Sequence, residues 1–259
     1  MTKTLFTNAR LIDPVGLTDA PGAILVEDGM ISRVFEETHP DITGPTVVDC
    51  GGKCLAPGIV DIGVKVSEPG ERHKESFRSA GRAAAAGGVT TIVTRPDTTP
   101  AIDTPETLEF VARRAALDAP VRVLPMAALT KGRDGREMTE IGFLQDAGAV
   151  AFTDCDRVVT NTKAFSRALT YAKSLDALVI AHVQEPGLSA GAAVTSGKFA
   201  SLRGLPGVSP MAERMGLDRD IGLIEMTGAR YHADQITTCL LYTSPSPRDQ
   251  RGSRMPSSA

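Results

Sequence analysis

The chain has 259 residues, 42% hydrophobic and 23% charged, with a formal net charge of −3. That is enough apolar material for one large domain, with or without a small appendage, and the interspersed acids and bases leave no basic footprint for nucleic acid. No apolar run reaches the roughly 18 residues of a membrane span, residues 1–14 carry no signal-peptide core, and the four scattered cysteines suit a reducing, cytoplasmic setting better than a disulfide framework.

Residues 1–56 read as β-rich. Thr4–Ile12 alternates toward a strand. Gly22–Val26 and Met30–Phe35 flank Glu27-Asp28-Gly29, and Asp-Gly between apolar runs favours a primed hairpin turn. Thr46–Cys50 is a further short strand. From Pro57 the texture changes. Candidate strands Gly58–Val66, Val89–Thr94, Val121–Ala127, Ala149–Thr153, Leu178–His182 and Tyr231–Thr238 alternate with candidate helices Glu75–Ala86, Pro105–Leu117, Thr139–Ala147, Thr162–Ser174 and Met211–Thr227. Gly87-Gly88 stops the first helix, and Thr104 caps the second with Pro105 at its first position. Such alternation implies parallel strands joined by crossovers. Six units over 57–238 suggest most of a (β/α)8 barrel; an open doubly wound sheet has the same periodicity. Residues 243–259 are Ser-, Pro- and Arg-rich without an apolar period and are expected to be disordered; with 239–242 they form a tail, 239–259, expected to lie outside the fold. They also resemble the translation of a sequencing-adapter read-through, so they are read as a non-native tail.

Residues 57–70 read PGIVDIGVKVSEPG. They resemble the P-G-x-x-D-x-H-x-H-x-x-x-P-G stretch of the cyclic amidohydrolases, dihydroorotases above all, and keep Pro57, Gly58, Asp61, Glu68, Pro69 and Gly70. GGVTTIVTRPDTTP at 87–100 is similar to a family stretch close to G-G-V-T-T-V-V-D-M-P-N-T-x-P, and AGAVAFTD at 147–154 and Ile180-Ala181-His182 continue the match. The resemblance runs from about residue 4 to 238. It implies an amidohydrolase architecture: an N-terminal β-sandwich portion (1–56) beside a (β/α)8 barrel (57–238) that is here incomplete, with strands seven and eight missing. Such a chain is expected to be a fragment of a longer protein, or poorly soluble alone, because an unclosed barrel leaves open edges.

The resemblance also assigns positions. In an H-x-H pair on a strand, residues i and i+2 share a face, and the metal they hold lowers the pKa of bound water for attack on a cyclic amide. At that pair stand Gly63 and Lys65. The strand-four acid is Asp154 and the strand-five histidine is His182, while the strand-six histidine is replaced by Gln235. Ser67 replaces the family's substrate-binding Arg and Asp97 its Asn, with Arg95 in place of the Met of M-P-N-T. Asp154 and His182 are thus residual metal positions, no residue set is expected to be catalytically competent, and no cofactor is expected; zinc would follow if the chain were active. Lys65 has two readings: its ammonium fills the vacated metal position and pairs with Asp154, or it reaches solvent at the barrel mouth. The implied role is that of a non-catalytic dihydroorotase homologue that partners aspartate transcarbamoylase in a homo- or hetero-oligomer. The alternative is an active amidohydrolase of the dihydroorotase, hydantoinase or allantoinase type.

Overall fold

The computed structural model describes residues 2–242 and resolves into two compact units that divide between Ile59 and Val60, a few residues beyond the boundary expected at 56/57. Residues 243–259, which hold most of the expected tail, lie outside the described residues.

The smaller unit is one five-stranded sheet. Its strands are β1 (Lys3–Asp13), β2 (Thr18–Glu27), β3 (Met30–Phe35), β4 (Thr46–Asp49) and β5 (Cys54–Leu55), in the order β3-β2-β1-β4 with β5 also on β1. β1 alternates as a half-buried strand should, with Leu5, Thr7 and Ala9 inward, and Leu5 packs with Ala23 and Leu25 of β2. Asp28 and Gly29 both have positive φ, 48° and 81°, as the expected primed β2–β3 turn requires. Among the described residues of this unit, no second layer of a sandwich forms.

The larger unit is mixed α/β. In chain order it contains β6 (Ile59–Val64), all but its first residue, then α1 (Phe77–Ala86), β7 (Val89–Thr94), α2 (Pro105–Asp118), β8 (Arg122–Pro125), α3 (Ile141–Asp146), α4 (Thr162–Ser174) and β9 (Leu178–His182). After these come α5 (Pro186–Ser189), β10 (Val194–Thr195), α6 (Lys198–Arg203), β11 (Gly207–Val208), α7 (Met211–Thr227), β12 (Arg230–Asp234) and α8 (Cys239–Tyr242). β6, β7 and β8 are neighbours in one sheet and β9 pairs with β12 in parallel. Phe152 joins the two groups, bridging in parallel to Ala127 on one side and Val179 on the other. The expected strand at Ala149–Thr153 is therefore a hydrogen-bonded link rather than a full strand, and the strands follow one another in sequence order.

From β7 to β9 this sheet buries residues on both faces, as parallel strands tend to, whereas β6 at its edge is largely exposed. Val93, Met126, Ala151 and Ile180 form a core on one face. Val179 and Phe152 face the other way, into a larger core with Phe77 of α1, Leu108 of α2, Leu144 of α3 and Leu169 of α4. The helix starts have local causes. Ser76 and Ser79 form a reciprocal capping box at α1, Thr104 caps α2, and Asn161 caps α4.

Three features depart from the sequence reading. β12 ends at Asp234, not Thr238, because Gln235 takes a positive φ of 56° and Thr237 and Thr238 donate their amides to Glu213. The segment between β9 and α7, for which no element was expected, folds into α5, the parallel pair β10–β11 and α6. Residues 239–242, placed in a disordered tail, form the helical turn α8, with Leu241 packed with Val183 and Leu217.

Candidate functional site

The C-terminal ends of the larger unit's strands gather most of the polar positions singled out in the sequence. Strand alternation puts them there. Val93 and Ile180 share the inner core, so Arg95 and His182, two residues on, extend toward the same face. Asp234 stands opposite His182 in the β9–β12 register. Val64 packs against the helix-side core, so Lys65 takes the opposite side.

Lys65 does not pair with Asp154. Its Nζ lies 3.0 Å from Asp97 Oδ2. Arg95 Nε approaches the same oxygen at 3.9 Å. The Asp97 side chain is only 6% exposed and that of Arg95 11%, whereas that of Lys65 is 61% exposed. The reading in which Lys65 reaches solvent thus holds for most of its length, while its head is tied to Asp97. Burial opposes the charge on Arg95, but Cys155, Asp97 and Asp234 around it outweigh burial and raise its pKa. Asp97 Oδ1 and Arg95 Nε make no hydrogen bond among the described residues.

Asp154 is occupied elsewhere. Oδ1 accepts from the Leu129 and Thr130 amides at 3.1 and 3.0 Å, and Oδ2 accepts from the Thr130 hydroxyl at 2.5 Å. Burial raises its pKa, against the pull of Thr130 and Arg133. The expectation that Lys65 would answer this buried carboxylate fails because backbone amides already do so. Neighbouring Cys155 is buried and its thiol is pushed up to about 11, chiefly by desolvation, so it is protonated near neutral pH and a poor nucleophile.

His182 Nε2 lies 3.1 Å from Gln184 Oε1, and its Nδ1 has no hydrogen-bond partner among the described residues. With Gln184, Ser209, Glu213, Gln235 and Thr237 it borders a cavity of about 130 Å³. Gln235 therefore sits near His182, while Gly63 has a positive φ of 91° and contributes no side chain.

The retained motif residues do structural work. Glu68, 4% exposed, accepts from the first amide of α1 at 3.1 Å and from Arg114 Nε at 3.0 Å, and pairs with Arg72 at 3.3 Å. At Gly70 (φ 100°) an added Cβ would stand 2.3 Å from the Thr99 carbonyl oxygen. Sequence reasoning missed the partnership of Arg95 with Asp97, although opposite charges two residues apart at a strand end were its signal. It also missed Glu213, which only the fold brings to Thr237.

A catalytic zinc site needs at least about three protein ligands. Glycine at 63 supplies none, lysine at 65 supplies a fixed cation, Gln235 offers a neutral amide, and both Asp154 oxygens are engaged. Among the described residues no three His, Cys, Asp or Glu side chains converge on a point where a metal could sit. The residues present do not fit the zinc that the resemblance implies. Among those residues, too, no helix is long and apolar enough to cross a membrane.

Comparison with known proteins is consistent with this architecture. The family model described as dihydro-orotase-like matches residues 52–240. The chain is 39% identical over 241 residues to a dihydroorotase of Syntrophobacter fumaroxidans, covering 90% of this chain and 54% of that protein. It is 37% identical over 230 residues to a dihydroorotase-like protein of Pseudomonas putida, covering 89% and 54%. The chain thus spans about half the length of the curated relatives it matches. Among solved structures, the L-hydantoinase of Arthrobacter aurescens superposes with a TM-score of 0.73 at 21% identity, covering 89% of this chain and 52% of that one. The dihydropyrimidinase of Brevibacillus agri gives 0.68 at 19%, covering 90% and 51%. At such identities the likeness is one of fold.

Proposed function

Because the chain belongs to the dihydroorotase-like family of amidohydrolases, we propose that it is a catalytically inactive member with a structural role beside aspartate transcarbamoylase in pyrimidine biosynthesis, in the cytoplasm. One observation carries this reading: the positions that should hold a metal present Gly63, Lys65 and Gln235, and Asp154 is committed to the Leu129–Thr130 backbone. What persists, Glu68 and Gly70 above all, serves packing. The order of β6, β7, β8, the Phe152 link, β9 and β12 supports the further reading that these five strands and one link occupy six consecutive strand positions of a (β/α)8 barrel that a longer protein completes.

The names of the relatives favour a second reading, an active cyclic amidohydrolase of dihydroorotase, hydantoinase or allantoinase type. Zinc content and ureidosuccinate formation by the longest natural form of the protein separate the two. The first predicts neither stoichiometric metal nor turnover, together with co-purification of a transcarbamoylase. Stoichiometric zinc with turnover would reverse the choice.

A further inference from the structure

Three positions at the strand ends differ from the family pattern in charge: lysine at 65 for histidine, arginine at 95 for methionine, and aspartate at 97 for asparagine. In the fold they meet. Lys65 Nζ and Arg95 Nε lie 3.0 and 3.9 Å from one oxygen, Asp97 Oδ2. A carboxylate whose side chain is only 6% exposed is costly unless compensated, and Arg95, itself nearly buried, is the cation placed beside it inside the protein. Asp234, opposite His182 at the end of β12, adds a second negative charge that acts weakly on Arg95. Two fixed cations and two acids at the strand ends balance one another, so a dication entering there would meet Lys65 and Arg95 rather than a set of free anions.

We infer that Lys65, Arg95 and Asp97 form a built-in ion triad that takes the place of a bound metal at the strand ends, holding the site together and excluding divalent cations. The inference deepens the inactive reading above and rests on it for the location of the site. It makes the three departures one coupled unit rather than three separate losses.

A double-mutant cycle on the full chain, together with metal analysis, tests it. Thermal midpoints would be compared for the unaltered chain, Arg95→Met, Asp97→Asn, and the double variant that restores the Met-Pro-Asn pattern. Zinc retained after dialysis against excess zinc would be measured in the unaltered chain. The expected result is a clear drop in midpoint for Arg95→Met, recovery of most of that drop when Asp97→Asn is added, and no stoichiometric zinc. Should Arg95→Met fail to fold, a folded double variant supports the triad and an unfolded one overturns it. An Arg95→Met loss that is the same with Asp or Asn at 97 also overturns it, and without zinc or turnover it leaves the inactive reading standing. Stoichiometric zinc in the unaltered chain overturns the triad, and if turnover accompanies it the inactive reading falls as well.

Discussion

Asp220 is fully buried on α7, where its carboxylate accepts from the Tyr231 hydroxyl at 2.6 Å and from Arg219 Nε at 2.8 Å. Burial raises its pKa above the ordinary 3.8, while Tyr231 and Arg219 pull it down. An acid with a raised folded pKa holds its proton more tightly folded than unfolded. Its contribution to stability is therefore greatest below the unfolded value, is lost as pH rises through the folded value, and is constant above it. Replacing Asp220 with Asn removes this dependence. Urea midpoints of the Asp220→Asn variant are expected to fall less steeply than those of the unaltered protein as pH rises from about 4 toward neutrality, and parallel curves would show that the carboxylate does not titrate there. Asp154 shifts in the same direction for the same reason, so the comparison isolates Asp220 only as a difference between the two proteins. At this scale the sequence was a partial guide. Gly63, Lys65 and Gln235 could be recognised as departures from a pattern, but the partner of Lys65 could not. Asp97 and Asp154 are both acids at strand ends, and only backbone amides 24 and 25 residues before Asp154 decide which of them is already satisfied.

Helix α7 shows how an element's own preferences yield to packing. Its buried positions, Ala212, Glu213, Gly216, Leu217, Asp220 and Leu223, recur at helical spacing, and two of them are acids with fixed partners. In an isolated helix, either Gly216 or Gly222 would gain about 1 kcal/mol on change to Ala. At Gly216 a Cβ would stand 2.5 Å from the backbone nitrogen of Gln184, which cannot swing aside as a flexible side chain would; at Gly222 it meets nothing within 4 Å. Chemical denaturation is expected to give opposite signs: Gly222→Ala stabilising by up to about 1 kcal/mol, Gly216→Ala destabilising by about 1–3 kcal/mol. Equal effects would mean that the α7–Gln184 approach is not tight in solution. Most helix positions were legible because caps and stops are local: Ser76, Thr104 and Asn161 announce α1, α2 and α4. The end of β12 was not, because Glu213, which claims the amides that would extend the strand, lies 24 residues from the first of them in the chain.

Across the larger unit, stability should be graded from the middle of the sheet outward. β9 has Phe152 on one side and β12 on the other, and its Val179 is fully buried. β6 and β12 each have one strand neighbour among the described residues, and Val60 and Ile62 of β6 are 54% and 59% exposed. Amide hydrogen exchange is expected to be slowest in β9 and fastest in β6 and the outer edge of β12; uniform protection would indicate that those edges are covered. The sequence by itself determined the β-rich start, the alternation of strands and helices after Pro57, and the family to which the chain belongs. Each of these depends on local periodicity, on turn and cap residues, or on motifs contiguous in the chain. Only the tertiary structure decided that Lys65 serves Asp97, that Asp154 is held by backbone, and that residues 183–210 form their own small elements. Those outcomes turn on which buried polar group meets which partner, and partners far apart in the chain are chosen by the packing of the sheet.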